Sequence, residues 1–129
     1  MSVSVYRAER QDKPWGHEIS FAAVEGRYVG NLLHVTAGQA LSRQYHQNKE
    51  ETISLVQGTA YVEYGEDADR LTGVTFEPGD TIHLPAGTVH RIRAVTDIVC
   101  VECSTAASGW REDVVRLDDA YGRAGTSEP

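Results

Sequence analysis

The stretch SRQYHQNKEETISLVQG, residues 42–58, places several polar side chains in front of a strand-like run that ends in glycine. Successive side chains of a β-strand point to opposite faces, so Gln44 and His46 project from the same face if they lie in one strand. Glu51 stands at the start of the next strand-like run. Nitrogen and oxygen donors that converge from separate strands can form a metal site. The stretch therefore raises the hypothesis that these three residues are metal ligands.

A fourth donor occurs in a second stretch, PGDTIHLPAGTVHR, residues 78–91. There, His90 begins a strand just after a Pro-x-Gly turn. Together with Gln44, His46 and Glu51 it forms a mixed nitrogen and oxygen donor set that suits a divalent ion, with zinc as the first choice and manganese, iron or nickel as the others. The alternative is a group of unrelated polar residues on the rim of a β-barrel.

The neighbouring Glu50 is a second candidate for the carboxylate ligand. Side chains two residues apart share a face of a strand, so Glu51 lies on the same face as the apolar Ile53. This parity favours Glu51, although the spacing by itself accommodates either glutamate.

Short apolar and β-branched runs recur along most of the chain, and turn signals such as Pro78-Gly79-Asp80 and Pro85-Ala86-Gly87 separate them. Short strands at this spacing predict an all-β sandwich or barrel. We find no amphipathic helix longer than about two turns and no internal repeat. The runs that predict strands are YVGNLLHV (28–35), TISLVQ (52–57), AYVEYG (60–65), LTGVTF (71–76), DTIHLP (80–85), HRIRAV (90–95) and DIVCVEC (97–103).

The chain length of 129 residues is enough for one domain with one core. We assign the domain to residues 1–123, with an N-terminal arm over residues 1–25. The small and polar tail, residues 124–129, is expected to be disordered. The arm is long enough to cover a sheet edge of a second copy, which makes a homodimer the expected state.

Composition and charge exclude several kinds of partner. The net charge is −7 and the arginines are scattered, so the chain lacks the basic surface of a nucleic-acid-binding protein. No run approaches the ~18 consecutive apolar residues that a membrane span needs, and the first residues contain no signal peptide. We expect a cytoplasmic protein whose partner is a small molecule.

Cys100 and Cys103 have the C-x-x-C spacing of a redox pair. They lie in a β-branched run that predicts a strand, however, and residues three apart in a strand point to opposite sides. Redox pairs of this kind usually open a helix. We therefore expect two reduced thiols, at least one of them in the core.

The two polar stretches resemble the two signature motifs of the cupin superfamily. The first motif runs Gly, five residues, His-x-His, three or four residues, Glu, six residues, Gly, and Gln44 replaces its first histidine. The second runs Gly, five residues, Pro-x-Gly, two residues, His, three residues, Asn, and Ala94 replaces the asparagine. The resemblance implies a double-stranded β-helix, or jelly-roll barrel, with a metal inside one end. The matching residues are Gly38, His46, Glu51 and Gly58 in the first motif and Gly79, Pro85, Gly87 and His90 in the second.

The glutamine narrows the resemblance to the mannose-6-phosphate isomerase group. The greatest likeness is to the type II form, which is usually the C-terminal domain of a fused guanylyltransferase–isomerase. The likeness covers residues 13–123 and does not include the guanylyltransferase part, so nucleotidyl transfer is not expected. Four segments carry it: KPWG (13–16), LSRQYH (41–46), LPAGTVHR (84–91) and VVRLDDAYGR (114–123).

This resemblance implies a metal-dependent aldose–ketose isomerisation of a sugar phosphate. A bound divalent ion would polarise the carbonyl and hydroxyl oxygens of the sugar, and a base would move a proton between neighbouring carbons. Glu102 shares a strand face with Cys100 and is the candidate catalytic base. Arg123 occupies the position of the family's terminal arginine. It is the candidate catalytic and substrate-binding residue, because a guanidinium fork suits a phosphate.

Three other candidate substrate-binding residues depart from the family pattern. Asn31 stands where the family usually has a lysine, which removes a cation from the expected cavity. Lys49 replaces an arginine and keeps the charge but loses the bidentate fork. Ile53 replaces a tryptophan that can line a sugar pocket. We therefore expect the metal ligands to be retained while the substrate site is altered.

Three classes of function stay open. The first is a metal-dependent isomerase or epimerase that acts on a sugar or sugar phosphate. The second is another metalloenzyme, such as a dioxygenase, and the third is a non-catalytic binder or sensor of a small ligand. The Gln-x-His and Tyr-Gly-Arg pieces favour the first class, whereas Asn31 and Ile53 favour the other two. Iron would indicate oxygen chemistry, and zinc or manganese would indicate isomerisation.

Overall fold

Eleven β-strands and one short 3-10 helix make up the regular structure of residues 2–126, the part of the chain that the computed structural model describes. The 3-10 helix spans Trp110–Glu112. Within the described residues, no helix has the length and apolar character needed to cross a membrane. The strands are β1 (Glu9–Lys13), β2 (Gly16–Val24), β3 (Tyr28–Val35), β4 (Arg43–Tyr45), β5 (Glu51–Gln57), β6 (Ala60–Gly65), β7 (Leu71–Phe76), β8 (Thr81–Leu84), β9 (Val89–Ala94), β10 (Ile98–Thr105) and β11 (Val115–Asp118).

The strands form two antiparallel sheets. The first has six strands in the order β1-β2-β3-β10-β5-β8, and the second has five in the order β11-β4-β9-β6-β7. Buried residues of both sheets, such as Leu33, Leu55 and Ile92, belong to one hydrophobic cluster, so the sheets share a core. The predicted all-β jelly roll is confirmed.

The inward-facing side chains divide the barrel into a polar end and an apolar end. One polar residue points inward on each of the strands β3, β5, β9 and β10. The residues two and four positions away on the same face of each strand are less polar. The polar residues therefore share one end of the barrel and the aliphatic core fills the other. These rows are Asn31, Leu33 and Val35 on β3; Glu51, Ile53 and Leu55 on β5; His90, Ile92 and Ala94 on β9; and Glu102, Cys100 and Ile98 on β10.

The seven strands predicted from the sequence all occur, with ends that agree to within two residues. The strands that the sequence does not reveal are β1, β2 and β11. The strand considered for Gln44 and His46 forms as β4, but it ends at Tyr45, so His46 lies just beyond it. β1 has the sequence ERQDK and is almost wholly exposed, so it carries no alternation of apolar and polar residues. Strand β1 forms because its backbone pairs with that of β2.

The region assigned to an N-terminal arm is largely built into the chain's own first sheet. β1 pairs with β2 from Glu9 opposite Ser20 to Lys13 opposite Gly16, and β2 pairs in turn with β3. These two strands thus extend the sheet within one chain. That residues 1–25 cover a sheet edge of a second copy, and that the protein is therefore a homodimer, stays a prediction.

The first residues of the predicted disordered tail have defined contacts. The backbone N–H of Gly125 donates to the carbonyl of Arg116 at 2.9 Å, and that of Thr126 donates to the carbonyl of Arg123 at 3.0 Å. Residues 124–126 therefore pack against β11 and the segment that follows it. Residues 127–129 lie outside the described part of the chain.

The two cysteines lie on opposite sides of β10, as expected from strand parity. Cys100 is buried in the core and Cys103 is exposed, and both are free thiols. Burial, helped by the negative charge of Glu102, raises the pKa of Cys100 to about 12. A thiol that stays protonated is a poor nucleophile, so Cys100 acts as a small apolar core residue.

Two motif glycines allow a test of backbone strain. Gly58 has φ +89° and a Cβ there would lie 2.2 Å from the carbonyl oxygen of Asp97, whereas Gly79 has φ +98° with nothing within 4 Å of such a Cβ. Both Gly→Ala variants lose about 1–2 kcal/mol of unfolding free energy, because alanine is disfavoured in the left-handed backbone region. We expect Gly58→Ala to lose about 3 kcal/mol or more of unfolding free energy, because it adds a backbone clash.

Urea unfolding of the two variants beside the unmodified protein measures this difference. Gly79→Ala serves as the control for the cost of φ alone. Equal losses in the two variants would contradict the packing described around Gly58.

Candidate metal centre

His46, Glu51 and His90 converge at the polar end of the barrel. Nε2 of His46 lies 3.2 Å from Oε1 of Glu51, and Nε2 of His90 lies 3.1 Å from the same oxygen. All three side chains are buried, with exposed fractions of 7%, 3% and 4% for the whole residues. Within the described residues they form a group of donor atoms that fits a single metal ion.

Backbone carbonyls orient both imidazole rings toward the centre of this group. Nδ1 of His46 donates to the carbonyl oxygen of Asp113, and Nδ1 of His90 donates to that of Thr88 at 3.0 Å. A ring that carries its proton on Nδ1 presents a lone pair on Nε2 when it is neutral. Fixing the tautomer from behind in this way is typical of histidines that ligate metals.

The donor set requires a cation. The Nε2 lone pairs and the Glu51 carboxylate are all acceptors, so they repel one another unless a proton or a metal ion lies among them. Without metal, protons fill this role: burial alone would raise the pKa of Glu51 and lower that of His90, but the hydrogen bonds between them lower the first and raise the second. Ligands about 2.1 Å from a tetrahedral ion lie roughly 3.4 Å apart, close to the distances found. The residues fit a divalent ion.

Gln44 lies next to this group. It is the cross-strand partner of His90 in the β4–β9 pair and belongs to the wall of the same cavity. Directly opposed residues share a face of the sheet. Gln44 therefore stays the predicted fourth ligand.

The structure separates the two adjacent glutamates. Glu51 points inward, whereas Glu50 is exposed and its Oε2 lies 2.8 Å from Nε2 of His83 on the outer face. His83 also contacts Thr52 through Nδ1, at 3.0 Å from the hydroxyl oxygen. The choice of Glu51 as the candidate carboxylate ligand, made from strand parity, thus agrees with its inward position. Glu50 belongs to a hydrogen-bond network on the surface.

His46, Glu51 and His90 line a cavity of about 880 Å³. It is large enough to hold a small-molecule ligand. All nine residues that the sequence suggested as site residues line it: Gln44, His46, Glu51 and His90 as metal ligands, and Asn31, Lys49, Ile53, Glu102 and Arg123 as substrate or catalytic residues.

The cavity concentrates positive charge in an acidic protein. Among residues 2–126, seven of the chain's twelve lysines and arginines line it, against five of its nineteen acidic residues. A cleft that collects one sign of charge attracts ligands of the other sign. The cations are Arg7, Lys13, Lys49, Arg91, Arg111, Arg116 and Arg123, and the acids are Glu9, Glu18, Glu51, Glu102 and Asp113.

Glu102 faces this cavity from β10. Nδ2 of Asn31 donates to its Oε1 at 2.9 Å across the β3–β10 pair. Burial and the negative charge of Glu51 raise the pKa of Glu102 to about 7, against the opposing effects of Lys49 and Asn31. The carboxyl is thus poised to take up and release a proton near neutral pH.

The other candidate substrate residues have structural partners as well. Arg123 is buried and its Nε and Nη2 donate to the carboxylate of Asp119 at 2.9 and 3.0 Å. Ile53 lines the cavity but is only 4% exposed and belongs to the hydrophobic cluster, so it forms part of the cavity floor. The sequence does not reveal these partnerships.

Asp113 is a further residue of the site, which the sequence reasoning misses. Its carboxylate accepts hydrogen bonds from the backbone N–H groups of residues 47, 48 and 49 at 2.7, 2.9 and 2.8 Å. These residues connect His46 to Glu51, and the Asp113 carbonyl holds His46 as well. Asp113 therefore positions two of the predicted ligands, His46 and Glu51, at once. It is about 65 residues distant from the loop in sequence, and no local pattern connects the two.

Metal content tests the centre directly. We expect near-stoichiometric divalent metal in the purified protein and less than about a tenth of that in a Gln44→Ala, His90→Ala double variant, because the lost donors leave too few ligands. Elemental analysis after metal loading and desalting measures both. His83→Ala, a histidine variant on the outer face, serves as the control and keeps its metal. A wild-type protein that takes up none of zinc, manganese, iron or nickel would contradict the site.

The raised pKa of Glu102 predicts a pH-dependent stability difference. Between pH 4.5, the ordinary value, and about 7, the folded metal-free protein keeps a proton that the unfolded chain releases. The unfolding free energy therefore falls across this window as the pH rises. Glu102→Gln removes the effect and keeps the acceptor for Asn31.

We expect Glu102→Gln to be more stable than the wild type above pH 7, by up to about 3 kcal/mol. The gain disappears below pH 4.5. Urea unfolding of the chelator-treated proteins at several pH values measures it. A gain that does not vary with pH would show that the carboxyl titrates normally.

Comparison with known proteins agrees with this architecture. The chain is 30% identical over 121 residues to the alginate biosynthesis protein AlgA of Pseudomonas aeruginosa strain PAO1, covering 91% of this chain and 23% of that protein. It is 32% identical over 113 residues to the mannose-1-phosphate guanylyltransferase ManC of Salmonella typhimurium strain LT2, covering 86% of this chain and 22% of that protein. The chain thus spans less than a quarter of the length of these relatives.

Solved structures show the same fold at low sequence identity. The capsular polysaccharide assembling protein CapF of Staphylococcus aureus superposes with a TM-score of 0.76 at 17% identity, over 88% of this chain and 35% of that one. Oxalate decarboxylase of Bacillus subtilis superposes with a TM-score of 0.74 at 15% identity, over 85% and 30%. The sequence profile of the cupin domain matches residues 31–102, which contain both motifs. The resemblance inferred from the motifs is confirmed, and the chain belongs to the cupin family.

Proposed function

We propose that this protein is a metal-dependent cupin that acts on a sugar phosphate, and that its reaction is an aldose–ketose isomerisation like that of mannose-6-phosphate isomerase. The observation that carries the proposal is the position of Glu102. It is a carboxyl with a pKa of about 7 in the same cavity as the proposed metal ligands, and the charge of Lys49 acts on it there. Interconversion of an aldose and a ketose needs such a group to move one proton between two carbons.

The reaction would proceed as follows at the residues of this chain. The sugar would enter the polar end of the barrel with its C1 and C2 oxygens toward His46, Glu51 and His90. A divalent ion held there would polarise those oxygens as a Lewis acid. The ionised Glu102 would take the C2 proton of the aldose, leaving an enediolate with its negative charge on O1. Return of that proton to C1, with transfer of the hydroxyl proton from O2 to O1, would give the ketose and leave Glu102 ionised again.

Asn31 has a positioning role in this scheme. Its amide donates to Oε1 of Glu102 at 2.9 Å, which restrains the carboxyl and supports its ionised form. Lys49 also favours the ionised form. The asparagine that replaces the family's lysine thus supports the base directly, whereas the other cations of the cavity remain to attract the phosphate.

The substrate class is supported by the charge of the cavity. A protein of net charge −7 places most of its lysines and arginines around this cavity, which favours an anionic ligand. Relatives at about 30% identity include a protein named for mannose-1-phosphate guanylyltransferase and proteins of alginate biosynthesis. Sugar phosphates match both observations.

Conversion of mannose 6-phosphate to fructose 6-phosphate is the assay that tests this function. We expect Glu102→Gln to lower kcat/KM by about 10²- to 10⁴-fold with little change in metal content, because the variant lacks the base. Glu50→Gln, which removes a carboxylate from the outer face, serves as the control and keeps its activity. In the wild type, kcat/KM rises with pH through a midpoint at or below about 7, since a bound cation lowers the pKa of the base.

Two results would contradict the proposal. Undiminished turnover in Glu102→Gln would remove the assigned base. A metal-loaded wild type that binds sugar phosphates without converting them would assign the protein to the class of non-catalytic binders.

A further inference from the structure

We propose that Lys13, Arg116 and Arg123 form the phosphate subsite of the cavity, with Lys13 taking the place of the cation that is missing at Asn31. This inference rests on the proposed function, since it names the group by which a sugar phosphate would be held. The three residues come from both sheets: Lys13 ends the edge strand β1, Arg116 lies on the edge strand β11 and Arg123 follows β11.

Strand parity directs Lys13 into the cavity. Glu9, Gln11 and Lys13 alternate along β1 and all line the cavity, whereas Arg10 and Asp12 form an ion pair at 3.1 Å with both side chains exposed. The Lys13 side chain is only 11% exposed, and its nearest acid is Glu18, with Nζ 4.0 Å from the carboxylate oxygen. At that distance the ammonium group is only loosely paired and keeps capacity for another anion.

The two arginines are held in place by the segment after β11. Asp119 binds Nε and Nη2 of Arg123, which fixes the plane of the guanidinium group in the cavity wall. Arg116 donates from Nη1 to the carbonyl of Thr126 at 3.1 Å. Preorganised guanidinium groups suit phosphate oxygens, because little side-chain freedom is lost on binding.

The three positive charges act on one another. Burial lowers the pKa of Lys13, and the charges of Arg123 and Arg116 lower it further, against the effects of Glu18 and Glu102. Three carboxylates, Glu18, Asp119 and Glu102, offset only part of this effect, since the pKa of Lys13 stays below its ordinary value. An anion with two charges, such as a phosphate monoester, relieves the repulsion among the cations and gains charge-assisted hydrogen bonds.

Binding of inorganic phosphate to the chelator-treated protein tests this subsite without involving the metal. Isothermal titration at low ionic strength would compare the wild type with Lys13→Gln, Lys13→Arg and Arg10→Gln. We expect Lys13→Gln to weaken binding about tenfold, since it removes a buried charge, and Lys13→Arg to restore it. Arg10→Gln removes a cation from the outer face of the same strand and leaves the affinity within twofold. Thermal unfolding of each variant checks that it is folded.

Two outcomes would overturn the subsite: a wild type that does not bind millimolar phosphate, or a Lys13→Gln variant that binds it as well as the wild type does. Turnover of mannose 6-phosphate separates this result from the proposed function. If phosphate binding depends on Lys13 but no sugar phosphate is converted, the proposed phosphate subsite is supported and the proposed isomerase activity is contradicted. If mannose 6-phosphate is converted and its KM is the same in Lys13→Gln as in the wild type, the proposed isomerase activity is supported and the proposed phosphate subsite is contradicted.

Discussion

The mutual repulsion of three acceptors is the constraint on which the polar end of this barrel depends. Two imidazole nitrogens lie 3.2 and 3.1 Å from the same carboxylate oxygen, and all three side chains are buried. The arrangement is stable only with positive charge at its centre. The carbonyls of Thr88 and Asp113 prevent the rings from turning away, since each ring would lose a hydrogen bond by doing so. The repulsion among the three acceptors thereby becomes affinity for a cation.

The hydrophobic core of the barrel supports this concentration of buried polar groups. Each inward row continues from its polar residue into the core, so the ligands stand on a packed aliphatic base that includes Ile53, Leu55 and Ile92. Rigid strands hold donor atoms more exactly in place than loops do. The loop between His46 and Glu51 is the exception, and the carboxylate of Asp113 compensates by accepting three of its backbone N–H groups.

Features that depend on local pattern were predictable from the sequence. Alternation along β5 and β10 identified the inward faces of Glu51 and Glu102, and motif spacing brought His90 together with His46. Features that depend on pairing were not. β1 is polar throughout and takes its structure from β2, so neither its existence nor the inward direction of Lys13 could be inferred. The pairings of Asp113 with the ligand loop and of Asp119 with Arg123 require the folded chain.

The clamp by Asp113 also affects the order in which the protein matures. All four expected ligands are present once residue 90 has been synthesised, but the residue that organises two of them comes 23 positions later, beyond β10. A nascent chain that already contains every expected ligand still lacks the residue that orients His46 and the loop leading to Glu51. The long-range closure of the C-terminal segment is therefore the step that would complete the candidate metal centre, so we expect the finished chain to bind a metal ion more tightly than its folding intermediates do.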